Sequence, residues 1–158
     1  EGQVLQIFAD AYTPVVDSSA IPTGEIASVE GTPMDFRTEK QIGQDIRADF
    51  EQLHFTGGYD HNYVLGRPGE KKIMANAYCR ESGIALEAET DCCGVQFYAG
   101  NFIGEQTGKG GASYHDRSAF CLESQFYPNA VNEPDFPSPV VKAGDTYHTE
   151  TSYRFYLR

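Results

Sequence analysis

Basic residues are scarce in this chain of 158 residues: 12 Lys and Arg stand against 23 Asp and Glu, for a formal net charge of −11. A duplex or single strand of nucleic acid needs a basic face to replace its counterions, and an anionic membrane surface needs one too, so neither partner is expected. No apolar run approaches the ~18–20 residues that cross a bilayer. The start, Glu1-Gly2-Gln3, offers no basic stretch followed by an apolar one, so no signal peptide is expected. The first residue is not Met, which fits a mature product or a fragment of something longer. Cysteine is sparse as well. Cys79, Cys92, Cys93 and Cys121 are too few for a disulfide scaffold and contain no CxxC pair, so free thiols in a reducing cytoplasm are expected. HxH and HExxH spacings are absent among His54, His61, His115 and His148, so no metal site is expected. GxSxG elbows, phosphate-cradling loops and dinucleotide fingerprints are absent too, as are internal repeats and low-complexity linkers.

What is present is ordinary globular material: 40% apolar and 22% charged residues. A chain of this length buries roughly 70% of its extended surface, enough for a core without staples. It reads as one domain or part of a larger one. Sixteen Gly and eight Pro punctuate short runs rich in aromatic and β-branched residues, the rhythm of an all-β sandwich or barrel. Thr149–Arg158 alternates, with Thr149, Thr151, Tyr153, Phe155 and Leu157 on one side, as a half-buried strand does. Val4–Tyr12 and Ile84–Thr90 read similarly, the latter with Ile84, Leu86 and Ala88 inward, and Val95–Tyr98 is a short apolar run interrupted by Gln96. Ile42, Ile46, Phe50 and Leu53 fall at spacings of four, four and three, which predicts one short helix.

Three polar clusters interrupt this apolar pattern. In Gly57-Gly58-Tyr59-Asp60-His61-Asn62-Tyr63-Val64-Leu65 two glycines permit a close backbone approach before three polar side chains. The segment suits either a ligand-binding loop that presents Asp60 and its neighbours or an Asx-type turn in which Asp60 or Asn62 bonds its own backbone. In Gly94-Val95-Gln96-Phe97-Tyr98-Ala99-Gly100-Asn101-Phe102, Gln96 has a donor and an acceptor for a hydroxyl, or else lies on a solvated surface. Phe97, Tyr98 and Phe102 are candidates for stacking on a sugar, or for the core. In the strand Ala119–Phe126, Cys121, Glu123 and Gln125 share a face. Glu123 is either a general base with a substrate proton in reach or a surface carboxylate.

In this order the clusters resemble the C-terminal half of the aldose 1-epimerases, the galactose mutarotases. The resemblance also takes in Tyr12-Thr13-Pro14, Ile21–Ile26, Val29–Arg37, Pro128-Asn129-Ala130-Val131-Asn132, Phe136-Pro137-Ser138 and Ala143–Tyr147, and so covers nearly the whole chain. Departures are small: Met34 stands where the family has an aromatic residue, and Cys92-Cys93 replace a polar-Pro pair. The resemblance implies a large antiparallel β-sandwich, the mutarotase supersandwich, of which residues 1–158 would be the C-terminal portion. It implies interconversion of the α and β anomers of free aldoses such as galactose and glucose, with no metal or organic cofactor. Glu123 would take the proton from the anomeric hydroxyl, and Asp60 and Gln96 would bind sugar hydroxyls. A histidine protonates the ring oxygen in the family, and none of the four histidines here matches its motif; His61 belongs to the Asp60 cluster. The missing acid would lie on an N-terminal half, carried by a separate chain or absent from the polypeptide. A half-sandwich is expected to expose an apolar face or open strand edges. The alternative is a non-catalytic carbohydrate-binding or regulatory module on the same fold.

Overall fold

Aromatic and β-branched runs between glycine turns become twelve strands, one short α-helix and a single 3₁₀ turn at Lys109–Gly111 in the computed structural model, which describes residues 1–158. The strands are β1 (Val4–Ile7), β2 (Ala11–Tyr12), β3 (Ala27–Ser28), β4 (Lys40–Gln41), β5 (Asp60–Val64), β6 (Lys72–Tyr78), β7 (Ile84–Thr90), β8 (Gly94–Tyr98), β9 (Gln106–Thr107), β10 (Ser113–Tyr114), β11 (Cys121–Gln125) and β12 (Thr151–Leu157). The helix, α1 (Glu51–Thr56), lies between β4 and β5. Ten strands form two five-stranded sheets, ordered β12-β7-β6-β1-β4 and β11-β8-β5-β2-β3, while β9 and β10 pair separately. Every pairing is antiparallel. Leu5, Ile7, Met74 and Ala88 of the first sheet meet Tyr12, Tyr63, Val95, Phe97 and Leu122 of the second in one buried cluster. The architecture is therefore an antiparallel β-sandwich, as the alternating runs lead one to expect.

The aromatic heart of this core is held by polar tips as well as by area. Tyr59 and Phe97 stack at 5.3 Å between centroids, and Phe36 stands edge-on to both, at 5.0 and 5.4 Å. The buried hydroxyls of Tyr59 and Tyr63 donate to the carbonyls of Pro33 and Met34, each at 3.0 Å. Each ring thus fills the core without leaving an unpaired hydroxyl there.

Three expectations are corrected. Val4–Tyr12 is not one strand: the chain bends after Ile7, and β1 and β2 belong to different sheets. The stripe Ile42, Ile46 and Leu53 is buried, but only Glu51–Thr56 is α-helical. Residues 42–47 form turns, because the Gly43 N–H bonds the Glu1 carbonyl at 2.9 Å and Ala48 bonds back three residues to Asp45. The helix ends where Gly57 adopts a left-handed conformation at φ 66°. Finally, β12 alternates as read, yet its inward face is open. The Tyr153 hydroxyl donates to the Leu122 carbonyl at 2.8 Å and Ser124 Oγ meets Thr151 Oγ1 at 2.6 Å, joining the edge strands β12 and β11. Further along the same face Phe155 and Leu157 are 69% and 80% exposed. Leu86, Phe120, Leu122, Tyr153 and Phe155 line an apolar cleft there, the exposed apolar face expected of a half-sandwich.

One core residue makes stability depend on pH. His61 points inward from β5, fully buried, with its ring edge-on to Tyr12 at 6.0 Å. Its Nδ1 accepts the Asp60 N–H at 3.2 Å and its Nε2 has no protein partner. Burial lowers its pKa from 6.5 to about 4, since the charged ring would be desolvated. The unfolded chain therefore binds this proton more tightly than the folded one, and stability falls as pH drops from about 6.5 towards 4, by about 3 kcal/mol in all. Urea unfolding midpoints measured from pH 7 to 4.5 are expected to fall more steeply in the wild type than in His61→Gln; parallel curves would contradict this.

Candidate active site

The outward face of the second sheet carries the polar residues, because period two sends Phe97, His61 and Leu122 to the core and their neighbours out. Register then aligns them across strands. Asn62 of β5, Gln96 of β8 and Glu123 of β11 are directly opposed in one row. Asp60, Tyr98 and Cys121 form the next row on the same face. Directly opposed side chains have Cβ atoms ~4.5–5.5 Å apart. The three residues singled out from the sequence, Asp60, Gln96 and Glu123, thus share one sheet face within two adjacent rows. Neither alternative for the Asp60 cluster describes its backbone: Asp60 opens a strand, which the turn at Gly57-Gly58 feeds. A Cβ on Gly58, at φ 138°, would fall on the Asn101 carboxamide oxygen, so the close approach needs this glycine.

Hydrogen bonds run along this face. Gln96 Nε2 donates to Asp60 Oδ1 at 2.7 Å. Gln125 Nε2 donates to Gln96 Oε1 at 3.1 Å and to Asn62 Oδ1 at 3.2 Å. Half-burial raises the Asp60 carboxyl above its ordinary pKa, and the bond from Gln96 pulls it partly back. The Cys121 thiol is raised by burial first and then by the charges of Glu123 and Asp60, which both face it. Glu123 is solvent-exposed on the edge strand, where a proton-bearing ligand has access. The site thus combines an accessible carboxylate with a half-buried carboxylate–amide pair, groups chemically able to accept a proton from one hydroxyl and to hydrogen-bond others.

The stacking candidates separate. Phe97 is core, Tyr98 is half-buried on the site face, and Phe102 is exposed, with its N–H donating to the Tyr98 hydroxyl oxygen at 2.9 Å. His61 faces the interior and is not part of the site. Beside the polar rows, Tyr127, Ala130 and Phe136 pack with Cys93 against the Val64 end of the sheet, with Tyr127 and Phe136 edge-to-face at 5.1 Å. Sequence reading placed Asn62 only as a neighbour of Asp60 and Gln125 only on the face of Glu123, and did not foresee that either bonds within the candidate site. The available signal was period two, since each lies two residues beyond a residue already singled out, on the same face.

The family model for aldose 1-epimerase matches residues 1–154. The galactose mutarotase of Bos taurus is 45% identical over 150 residues, which are 94% of this chain and 42% of that protein. The aldose 1-epimerase of Escherichia coli (strain K12) is 38% identical over 154 residues, 96% of this chain and 44% of that protein. The crystal structure of a GalM/aldose epimerase homologue from C. elegans superposes with a TM-score of 0.80 at 28% identity, over 99% of this chain and 46% of its own. The chain spans less than half the length of the relatives it matches. Since both the family match and the superposition run through nearly every residue that builds the two sheets, the chain belongs to the aldose 1-epimerase family.

Proposed function

We propose that this chain supplies the base and part of the sugar site of an aldose 1-epimerase, an isomerase that interconverts the α and β anomers of free aldohexoses such as galactose and glucose. The observation that carries this reading is the opposition of Glu123 and Gln96 in register, with Asp60 bonded to Gln96 on the same face. Glu123 takes the proton of the anomeric hydroxyl as the C1–ring-oxygen bond breaks. An acid protonates the ring oxygen, and the aldehyde end rotates. Reversal of both proton transfers then closes either anomer. Asp60 accepts from a sugar hydroxyl and Gln96 donates to a sugar oxygen, fixing the hemiacetal where the two transfers converge.

The only histidine on β5, β8 or β11 is His61, which faces the core; by the family resemblance we assign the acid to a histidine of an N-terminal half. The partner proposed for this chain, besides the free sugar, is an N-terminal half of such an enzyme, on the same polypeptide or another. Two features support it: the chain's short span against its relatives, and the exposed Phe155 and Leu157. No helix is long and apolar enough to cross a membrane, all four cysteines are free thiols, and we place the protein in the cytoplasm.

Polarimetry of freshly dissolved α-galactose tests the reading. Residues 1–158 alone are expected to leave the decay of rotation at its spontaneous rate, and co-expression with the N-terminal half of a relative is expected to accelerate it. Full-speed decay with residues 1–158 alone would refute the division of acid and base. A reconstituted protein that binds galactose without turnover would be a carbohydrate-binding module instead.

A further inference from the structure

We propose that Gln125, anchored by Asn62, is a positioning residue that fixes the Gln96 carboxamide in one orientation, with its N–H groups towards Asp60 and the sugar; this rests on the sugar-site reading above. A carboxamide has two orientations of almost equal shape, and a strand position alone does not choose between them. An ionised carboxylate only accepts, so the side of Gln96 facing Asp60 must be the nitrogen, as the 2.7 Å contact has it. That leaves Gln96 Oε1 on the opposite side, where it needs a donor. Gln125 Nε2 provides one at 3.1 Å.

Gln125 is itself oriented in turn. The same nitrogen donates to Asn62 Oδ1 at 3.2 Å, and Asn62 is buried. A flipped Gln125 would set its oxygen against Gln96 Oε1. Polarity therefore runs one way along the face, from Gln125 to Gln96 to Asp60. The network crosses Gly94, which pairs with Val64 on one side and Gln125 on the other. A Cβ at Gly94 would fall on Asn62 Oδ1 and come within 2.9 Å of Tyr127 Cδ1, so the amides lie across bare backbone. A side chain on any other residue would displace them.

For the proposed reaction this alters what Gln96 does. Its oxygen is occupied by Gln125 and one N–H by Asp60, so the remaining N–H faces the ligand. Gln96 is then a donor to a sugar oxygen and not an ambivalent partner, while Asp60 keeps one carboxylate oxygen to accept from a sugar hydroxyl. The other ionisable groups sharing the face of Asp60 are Tyr98, Cys121 and Glu123, and none of them belongs to the amide chain.

The test is a double-mutant cycle between Gln125→Met and Gln96→Met, both close in size and uncharged, read two ways. The first readout is the Asp60 titration midpoint from side-chain ¹³C carboxyl shifts, which needs no turnover; the second, in the protein completed by an N-terminal half, is kcat/KM for mutarotation and its acidic limb. Gln125→Met is expected to raise the Asp60 midpoint, to move the acidic limb up with it, and to lower kcat/KM about tenfold. In the Gln96→Met background the same substitution is expected to do nothing further, because Gln125 acts only through Gln96. An unchanged midpoint, or a shift of equal size in both backgrounds, would overturn the proposal. The midpoint cycle decides this even if the protein turns over no sugar, which separates failure of the proposal from failure of the mutarotase reading. Should Gln125→Met not fold, Gln125→Asn, whose amide is polar but one methylene short of Gln96, gives the same cycle.

Discussion

Glu123→Gln in the catalytically complete protein is expected to lower kcat for mutarotation by about 10²–10⁴-fold, the range that a positioned general base contributes. Galactose binding is expected to change little. Glutamine has the size of glutamate and keeps a hydrogen-bonding oxygen, but its amide does not take up the anomeric proton. Glu123 is exposed and stands opposite Gln96 on an edge strand, so the substitution disturbs no buried contact. Its effect reports chemistry and not folding. Glu123→Asp shortens the reach by one methylene and is expected to fall between the two. Anomer exchange followed by NMR, with binding measured by calorimetry on the same preparation, separates turnover from affinity. Wild-type turnover in Glu123→Gln would remove Glu123 from the reaction, and loss of binding together with turnover would make it a sugar ligand first.

Much of this site could be read before any coordinates, and the limits of that reading are physical. The faces of the strands follow from period two, so Glu123 and Gln125 together, and Ile84, Leu86 and Ala88 together, are local facts. That Glu123 meets Gln96, and Gln96 meets Asn62, is a fact of register between segments 27 and 34 residues apart, and local pattern does not carry register. The roles proposed for Asp60, Gln96 and Glu123 rest on resemblance, and the amide chain through Gln125 needed distances. Burial fails for a different reason. The alternation of β12 identifies which side of Phe155 faces inward, but whether that side is covered depends on what packs against it. Residues 42–50 show the same limit. Helical spacing put Ile42 and Ile46 in the core correctly, while docking of Gly43 on Glu1 replaced the helix with turns.

Phe97→Ala is expected to cost about 3–5 kcal/mol of unfolding free energy, the usual range for deleting a buried aromatic side chain. Phe97 is fully buried and meets three rings, Tyr59 at 5.3 Å, Phe36 at 5.4 Å and Phe120 at 6.3 Å between centroids. It also stands between His61 and Leu122 in register, so His61–Phe97–Leu122 is the inward row behind Asn62–Gln96–Glu123. Rings on all sides limit collapse into the space left, which puts the cost at the high end for a large-to-small change. For a domain stabilised by about 5–15 kcal/mol, such a loss is a large share of the total. The chain has no Trp, so far-ultraviolet circular dichroism is the natural probe of its urea transition. Phe97→Leu keeps most of the volume and is expected to cost about half as much or less. Because Gln96 adjoins Phe97 in β8, the alanine variant is also expected to loosen the Gln96–Asp60 bond, whereas Glu123→Gln leaves the urea midpoint in place. A loss below about 1 kcal/mol in Phe97→Ala would mean that the core closes around the vacancy and that the two rows are not mechanically tied.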